Sequence, residues 1–298
     1  IIMDSALVTV FLPIALGIVM AGLGLELTPQ DFSRVRKHPK AVFVALFCQL
    51  VLLVGVAFAL CKLFALSPLL AVGLMLLAAS PGGATANLLS YLFKGDIALN
   101  ITLTAINSIL AAVTLPIVVN FAINHFMQGD QQIGLQFAKV VQVFVIIIVP
   151  VLIGMLIRHY SPSTADKLNK PTRIFAVVFL VIIILGAIMS ERENLVNYIG
   201  EVGVATALFC AISLSIGYFV PRMFGISARQ ARASAFEIGI HNGTLAITIA
   251  ITIMASTTIA MPAAVYSIFM YFFAVAFGFL LNRIAPLPED ATAESLNH

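Results

Sequence analysis

The chain has 298 residues, of which 61% are hydrophobic and only 10% are charged, and its formal net charge is +3. Because soluble domains carry about 25% charged residues, a water-soluble fold of this size could not bury so much apolar side chain. The small net charge gives no indication of a nucleic-acid partner. The composition therefore predicts an all-α polytopic protein of the lipid bilayer, since β-barrel strands would show short alternating patterns instead.

Apolar runs of about 20 residues predict nine membrane helices in chain order. Polar stretches such as TPQDFSRVRKHPK and RHYSPSTADKLNKPTR separate them and are expected to be loops. The residues after 284 form a polar C-terminal tail, 285–298. The predicted segments are 5–25, 41–64, 68–93, 97–125, 135–158, 172–190, 198–220, 227–255 and 260–284.

The distribution of Lys and Arg predicts the orientation of these segments. Placing the loops after the first, third, fifth and seventh segments on one side, together with the tail, puts thirteen of the sixteen basic residues there. Basic residues accumulate on the cytoplasmic side of membrane proteins. We therefore expect the C-terminus to be cytoplasmic.

Two of the segments contain residues that interrupt a helix. The third contains SPGGATAN (80–87), and the eighth contains EIGIHNG (237–243). Proline removes a backbone donor and glycine lowers helix stability. Non-helical backbone at membrane depth is tolerated only inside protein or along a watery cavity. Interrupted helices at matching positions are typical of transporters built from inverted repeats, with the binding site at the interruptions.

The position of the two interruptions predicts the repeat boundaries. The second repeat has five helices within 133–284, and its fourth helix is the interrupted one. In the first repeat, 1–125, the interrupted helix is only the third. We expect one further helix upstream of Ile1, which would give ten helices with both ends in the cytoplasm.

Glu237 is the acidic residue at the centre of the eighth segment. A charged group at this depth costs roughly 2.5–3.5 kcal/mol on insertion scales and is functional by default. The alternative is a structural carboxylate paired with Arg229 or Arg232, but both lie one to two turns nearer the cytoplasm. A lone carboxylate suits a cation, and hard cations prefer oxygen ligands. Candidate donors elsewhere in the chain are Gln49, Asn87, Asn100, Thr102, Thr104, Asn107 and Ser108.

The half-helices at each interruption also present free ends. Helix C-termini and loose carbonyls favour cations, whereas N-termini favour anionic groups. The pattern thus suggests Na⁺ or H⁺ coupled to an organic anion. The candidate residues for the anion are those that open the second half-helices: Asn242, Gly243 and Thr244, and Gly83, Ala84 and Thr85.

The motif PGGATAN with a following polar helix, together with EIGIHN, resembles the bile acid:sodium symporter family. The resemblance covers nearly the whole chain and implies a panel domain, a core domain and two sodium sites behind crossed, broken helices. The panel would contain the first, fifth and sixth segments. The resemblance implies a first sodium site of Glu237, Asn87, Asn100, Thr104 and the Ala86 carbonyl. It implies a second of Glu237, Gln49, His241 and the carbonyls of Ile238 and Ile240.

The chain departs from the family pattern at three of these positions. Ala86 and Asn100 stand where serine is usual, so one hydroxyl is lost and an amide is gained. His241 stands where glutamine is expected. A neutral imidazole offers nitrogen rather than oxygen, and a protonated one would repel Na⁺. We therefore expect the second sodium site to be the weaker one.

Together these features predict a sodium-coupled symporter that imports bile acids or a similar organic anion by alternating access. The expected location is a bacterial inner membrane. One alternative is a proton-coupled organic-anion carrier on the same fold, and another is a non-transporting membrane sensor. An enzyme is not expected, because the sequence contains no HExxH motif, no Ser–His–Asp set and no second carboxylate at the depth of Glu237.

Overall fold

The computed structural model describes residues 10–83, 85–127, 137–190, 193 and 195–287. These residues are almost entirely helical, as the composition predicts. A single turn of 3₁₀ helix, Arg34–Arg36, follows α2. The helices are α1 (Leu12–Glu26), α2 (Pro29–Ser33), α3 (Pro39–Leu63), α4 (Pro68–Ala79), α5 (Thr85–Leu92), α6 (Ile97–Phe126), α7 (Phe137–Tyr160), α8 (Pro162–Ser190), α9 (Leu195–Met223), α10 (Ala228–Gly239), α11 (Gly243–Thr252) and α12 (Thr257–Ile284).

Six of these helices, α3, α6, α7, α8, α9 and α12, are long and apolar enough to cross a membrane. The number of spanning helices is seven if α1 and the segment Pro29–Arg36 are counted together as one span, although the chain bends by 67° between them. Large apolar side chains such as Phe43 and Phe272 are each 73% exposed, as expected of lipid-facing positions. The prediction of a polytopic helical membrane protein is therefore confirmed.

The two interrupted segments are each divided into a pair of helices. The third segment becomes α4 and α5, and the eighth becomes α10 and α11. Each half alone is too short to span hydrocarbon, because an α-helix rises about 1.5 Å per residue. The interruptions lie within the SPGGATAN and EIGIHNG motifs, where the sequence predicts them.

The two stretches predicted to be loops are partly helical, and this prediction was wrong. Pro29–Ser33 forms α2, and α8 begins at Pro162 rather than near residue 172. Proline is well suited to the first turn of a helix, where its missing N–H group is not needed. Low hydropathy marks the part of a helix that leaves the membrane, and it does not by itself end the helix.

Small residues allow close approach between helices. A Cβ atom on Gly24 would overlap the Val151 carbonyl, and one on Gly154 would overlap the Ala21 carbonyl, so the backbones of α1 and α7 touch. Gly73 is packed in the same way against the Ile259 carbonyl of α12. Such contacts are common in membranes, where helix association depends on van der Waals packing.

The helices pack as neighbours in a definite pattern. Helix α1 packs on α7 and α8, and these three are the helices of the predicted panel. Helix α4 packs on α6 and α12, and α9 packs on α10 and α12. Helix α8 also contacts α11 and α12. The inverted repeats, 1–125 and 133–284, and the division into panel and core stay predictions.

Arg232 of α10 is fully buried and ties three helices together. Its guanidinium donates to the carbonyls of Phe93 (2.6 Å), Leu281 (3.1 Å) and Ala285 (2.8 Å) and to Oδ1 of Asn282 (2.7 Å). These acceptors follow the end of α5 or lie at the end of α12, where a cation is favourable. Arg232 is thus occupied away from Glu237.

Candidate functional site

The two interruptions cross each other and are joined through their main chains. The amide of Gly83 donates to the Ile240 carbonyl, and the amide of Asn242 donates to the Pro81 carbonyl, both at 2.9 Å. Gly82 and His241 consequently form an antiparallel bridge. Pro81 has no N–H group to donate, the chain leaves the helix after Ala79, and the opposite interruption supplies a partner for the free Pro81 carbonyl.

Glu237 lies at this crossing and is fully buried. The Thr104 hydroxyl donates to its Oε2 atom at 2.5 Å, and the Asn107 amide donates to its Oε1 atom at 3.3 Å. A Cβ atom on Gly82 would overlap the carboxylate, so only glycine leaves room for it. The described part of the chain places no basic side chain in an ion pair with Glu237. Its charge is therefore met only by neutral donors.

Three asparagine side chains, one on α5 and two on α6, have buried oxygens that lack a donor among the described residues. The Oδ1 atoms of Asn87, Asn100 and Asn107 make no hydrogen bond with any described residue. A buried oxygen without a donor costs free energy, and a hard cation can satisfy several at once. Asn107 bonds Glu237 directly, and Asn100 lies one helical turn before Thr104, so these residue types suit a bound cation.

Within the first predicted ligand set, three direct contacts are present. Thr104 contacts Glu237, and the Asn100 amide donates to the Ala86 carbonyl (3.0 Å) and to the Ser90 hydroxyl. Thr104 also donates to the Asn100 carbonyl at 3.1 Å. Asn87 adjoins Ala86 in α5 but makes no direct contact with Glu237 among the hydrogen bonds of the described residues.

Asn107 contacts Glu237 although it lies outside the ligand set that the resemblance implies. The sequence does indicate it, because Asn100, Thr104 and Asn107 share one face of α6 by helical spacing. By contrast, the hydroxyl of Thr102 bonds back to the Ala98 carbonyl at 2.9 Å, and that of Ser108 bonds back to Thr104 at 2.7 Å. Such bonds are the ordinary role of hydroxyl residues in a membrane helix.

Two side chains of the second predicted set, those of Gln49 and His241, meet at one carbonyl. Gln49 Nε2 donates to the Ser80 carbonyl at 3.2 Å, and His241 Nδ1 lies 3.2 Å from the same oxygen. Gln49 lies in a widened turn of α3, Cys48–Leu52, a feature often found at functional sites. Because a carbonyl only accepts, we assign the proton to Nδ1, which leaves a lone pair on Nε2. Gln49 Oε1 and His241 Nε2 are both buried without a partner among the described residues.

The two main-chain carbonyls of that set, those of Ile238 and Ile240, differ in whether they already accept a hydrogen bond. The Ile240 carbonyl already accepts from the Gly83 amide. The Ile238 carbonyl has lost its helical partner, because the Asn242 amide donates to Pro81 instead. Ile238 is thus the freer of the two carbonyls.

Two aromatic residues enclose His241 and were not predicted. The ring centroids of Phe209 and Tyr266 each lie 5.4 Å from that of the imidazole. The Tyr266 hydroxyl donates to the carbonyl of Gly239, the last residue of α10, at 2.8 Å. Nothing in the sequence distinguishes these two rings from other aromatic residues of the core.

The predicted substrate residues fall into two groups. Asn242, Gly83 and Thr85 are partly exposed. Gly243 packs directly against the Ser267 hydroxyl, and Thr244 is 5% exposed, so both are buried within the protein. Ala84 lies outside the described residues.

A cavity of about 50 Å³ lies beside the crossing, between α1 and α8. Asn242 lines one part of it, and Glu26, Thr172 and Arg173 line another. Arg173 Nε and Glu26 Oε1 form an ion pair at 2.7 Å. The remaining lining is apolar and consists of Val19, Met20, Gly22, Leu23 and Ala176.

A helical membrane protein in which two broken helices cross at a buried carboxylate has the architecture of a secondary transporter. The comparison of the sequence with protein families agrees with this class. A model of the sodium bile acid symporter family matches residues 13–198, and the chain belongs to that family.

Several sodium-dependent transporters are similar to this chain over most of its length. An uncharacterized sodium-dependent transporter of Bacillus subtilis, YocS, is 26% identical over 264 residues, covering 89% of this chain and 79% of its own. The human ileal sodium/bile acid cotransporter is 26% identical over 92% of this chain and 79% of its own. The probable chloroplastic sodium/metabolite cotransporter BASS2 of rice is 26% identical over 85% of this chain but only 59% of its own length.

Proposed function

We propose that the protein is a sodium-coupled symporter that imports an organic anion, a bile acid or a smaller metabolite, by alternating access. The observation that carries this proposal is Glu237, a buried carboxylate that accepts from the neutral side chains of Thr104 and Asn107, and Asn107 has an unpaired amide oxygen among the described residues. The names of the relatives, sodium-dependent transporter and sodium/bile acid or sodium/metabolite cotransporter, support the same function.

In the proposed first site Na⁺ binds to Glu237, Thr104, Asn100, Asn87 and the Ala86 carbonyl. The ion would neutralise the carboxylate and satisfy the asparagine oxygens that lack donors. The Asn107 side chain, which bonds Glu237, orients the carboxylate for this purpose. Binding thus removes a charge whose burial is costly, which gives the ion a favourable free energy.

In the proposed second site Na⁺ binds to Glu237, Gln49, His241 and the carbonyls of Ile238 and Ile240. Here His241 supplies a nitrogen lone pair in place of an oxygen. Sodium is a hard cation and prefers oxygen, so this site binds it more weakly than the first.

The organic anion binds at the partly exposed start of the second half-helices, at Asn242, Gly83 and Thr85. Gly243 and Thr244, which are buried, belong to the same predicted set, as does Ala84. The N-terminus of α11 lies in this region, and the positive end of a helix dipole favours anions. Transport then requires the panel, α1, α7 and α8, to move against the remaining helices in a bacterial inner membrane, with the C-terminus in the cytoplasm.

The first test is binding of labelled taurocholate to purified protein while Na⁺ replaces K⁺ at constant ionic strength. We expect binding to rise with Na⁺ and to lose that dependence in Glu237→Gln, because the amide cannot neutralise the ion. Glu201→Gln is the matched control. The Glu201 carboxylate accepts a hydrogen bond of 2.5 Å from the Ser67 amide, and this contact lies away from the crossing. Uptake of the same substrate is then measured in proteoliposomes. Uptake that is independent of Na⁺ but driven by a proton gradient would favour the proton-coupled carrier. Binding without any uptake would favour a sensor.

The second site is tested separately with His241→Gln. Restoring an amide oxygen is expected to steepen the Na⁺ dependence of binding and to raise the Hill slope toward two. The slope of the parent protein is expected to lie closer to one. Equal slopes in the two proteins would contradict a weakened second site.

A further inference from the structure

The cavity between α1 and α8 has a polar group at each of two places and an apolar lining between them. Asn242 lies at the crossing, and the Glu26–Arg173 pair lies where α1 ends. Met20 and Leu23 contribute to the apolar part. A cavity of this size holds only a small part of a ligand, so its lining indicates which groups a ligand meets there: an amide, an ion pair and apolar side chains.

Arg173 is the basic residue of this lining, and its guanidinium is only partly used. One of its five donors, Nε, bonds Glu26, and no described residue accepts from the others. The Arg173 side chain is 60% exposed, whereas that of Glu26 is 9% exposed. The guanidinium can therefore turn toward another anion while the carboxylate stays in place.

Asn242 presents a donor rather than an acceptor to the cavity. Its Oδ1 atom accepts from the Leu245 amide at 3.0 Å, so the side-chain NH₂ group is the part left for a ligand. A hydroxyl or carbonyl oxygen on the ligand would accept from it. The anionic group then belongs at Arg173, because guanidinium binds carboxylate and sulfonate through two parallel hydrogen bonds.

We propose that Arg173 recognises the anionic head of the substrate and that Glu26 competes with the substrate for it. This inference rests on the proposed function and assigns the anionic group of the substrate, a carboxylate or a sulfonate, to Arg173 of α8. Glu26 neutralises Arg173 when no substrate is bound, and the substrate must displace it.

If Glu26 competes with the substrate for Arg173, substitutions of these two residues are expected to change substrate affinity in opposite directions. Arg173→Gln removes the charge-assisted hydrogen bonds and is expected to weaken substrate binding about tenfold or more. Glu26→Gln frees Arg173 and is expected to strengthen binding several-fold. If the pair only joins α1 to α8, both variants lose the same contact and change binding in the same direction.

The experiment compares labelled cholate with its uncharged methyl ester at saturating Na⁺. Arg173→Gln is expected to lose affinity for cholate, to keep its affinity for the ester, and to keep the Na⁺ midpoint of the parent. Arg158→Gln is the matched control. Arg158 also binds the end of α1, through the Leu25 carbonyl at 2.6 Å, and pairs with Asp166 at 2.7 Å, but it does not line the cavity.

The outcomes separate this inference from the proposed function. A parent protein that shows no sodium-dependent binding of either probe contradicts the proposed function itself. A parent that binds cholate with Na⁺, beside an Arg173→Gln variant of equal cholate affinity or a Glu26→Gln variant of lower affinity, contradicts only the role of Arg173. If Arg173→Gln does not fold, Arg173→Lys replaces it, and an affinity equal to the parent's would contradict recognition by the planar guanidinium.

Discussion

The side chains around Glu237 divide its two oxygens between them. Thr104 donates to one and Asn107 to the other, and neither donor carries a charge. Neutral donors orient a carboxylate without cancelling its charge, so the group still attracts a cation. This arrangement differs from that of Arg232, a buried charge satisfied by carbonyls at helix ends.

The contribution of Thr104 can be measured against Thr102, which lies on the same helix. Thr104→Val removes a hydroxyl that bonds Glu237, whereas Thr102→Val removes one that bonds only its own helix at Ala98. We expect the first change to raise the Na⁺ midpoint for taurocholate binding about tenfold, since a bond to a charged group contributes about 1.5–3 kcal/mol. The second change is expected to leave the midpoint unaltered. Equal shifts in the two variants would show that Thr104 acts through helix stability alone.

The sequence predicts the polar members of the site better than their surroundings. Glu237 and Asn107 are conspicuous as polar residues in apolar segments, because their burial is costly. The same argument does not distinguish Thr104 from Thr102 or Ser108, and only the family resemblance places Thr104 in the first site. Phe209 and Tyr266, which enclose His241, look like ordinary core residues in the sequence. Their role depends on which helices are neighbours, and that is decided by packing between segments distant in the chain.

The crossing of the interrupted helices depends on one glycine at the closest approach. A methyl group on Gly82 would overlap the Glu237 carboxylate, because the main chain of one interruption lies directly against the side chain from the other. This is a packing requirement at a specific point, and it does not depend on the conformational freedom of glycine.

Gly82→Ala is therefore expected to remove sodium-dependent binding, or to weaken it at least tenfold, by displacing the carboxylate or the crossing. Gly55→Ala in α3 is the control, since a Cβ atom there meets nothing within 4 Å. It should leave binding unchanged and raise thermal stability slightly, because alanine is the better helix former. The two variants are compared by Na⁺ titration and by melting temperature. Full sodium dependence in Gly82→Ala would contradict the geometry of the crossing.

At the scale of elements, hydropathy and helix breakers located the segments and both interruptions correctly. Helix lengths were less well predicted, since α8 begins at Pro162 and α2 occupies a stretch expected to be a loop. Hydropathy reports where a segment meets hydrocarbon, whereas a helix continues into water as long as its residues allow it. Which helices are neighbours was harder to predict. The contact of α1 with α7 depends on Gly24 and Gly154, and the residues around these glycines in the sequence do not indicate that the two helices meet there.

For the whole molecule, the number of ions determines how the membrane potential acts on transport. One Na⁺ entering with a monoanion moves no net charge, and two move one positive charge. Each charge gains about 2.3 kcal/mol per 100 mV, which corresponds to about fifty-fold in accumulation. The weakened second site thus bears on energetics as well as on affinity.

We expect taurocholate uptake by the parent protein in proteoliposomes to respond weakly to an inside-negative potential at low Na⁺. His241→Gln is expected to respond strongly under the same conditions, because its second site fills. Uptake is measured with the potential set by a K⁺ gradient and valinomycin, and with the potential collapsed as control. An identical response in both proteins would show that His241 does not change the number of ions.

The crossing itself is made by main-chain atoms, since Gly83 and Asn242 donate through their amides to Ile240 and Pro81. Every residue except proline supplies the same amide, so most substitutions at Gly83 and Asn242 leave those bonds intact. The crossing is therefore a part of the protein that evolution can keep while it exchanges the side chains around it. A substitution at a position such as His241 can therefore change the ions that drive transport while the fold stays the same.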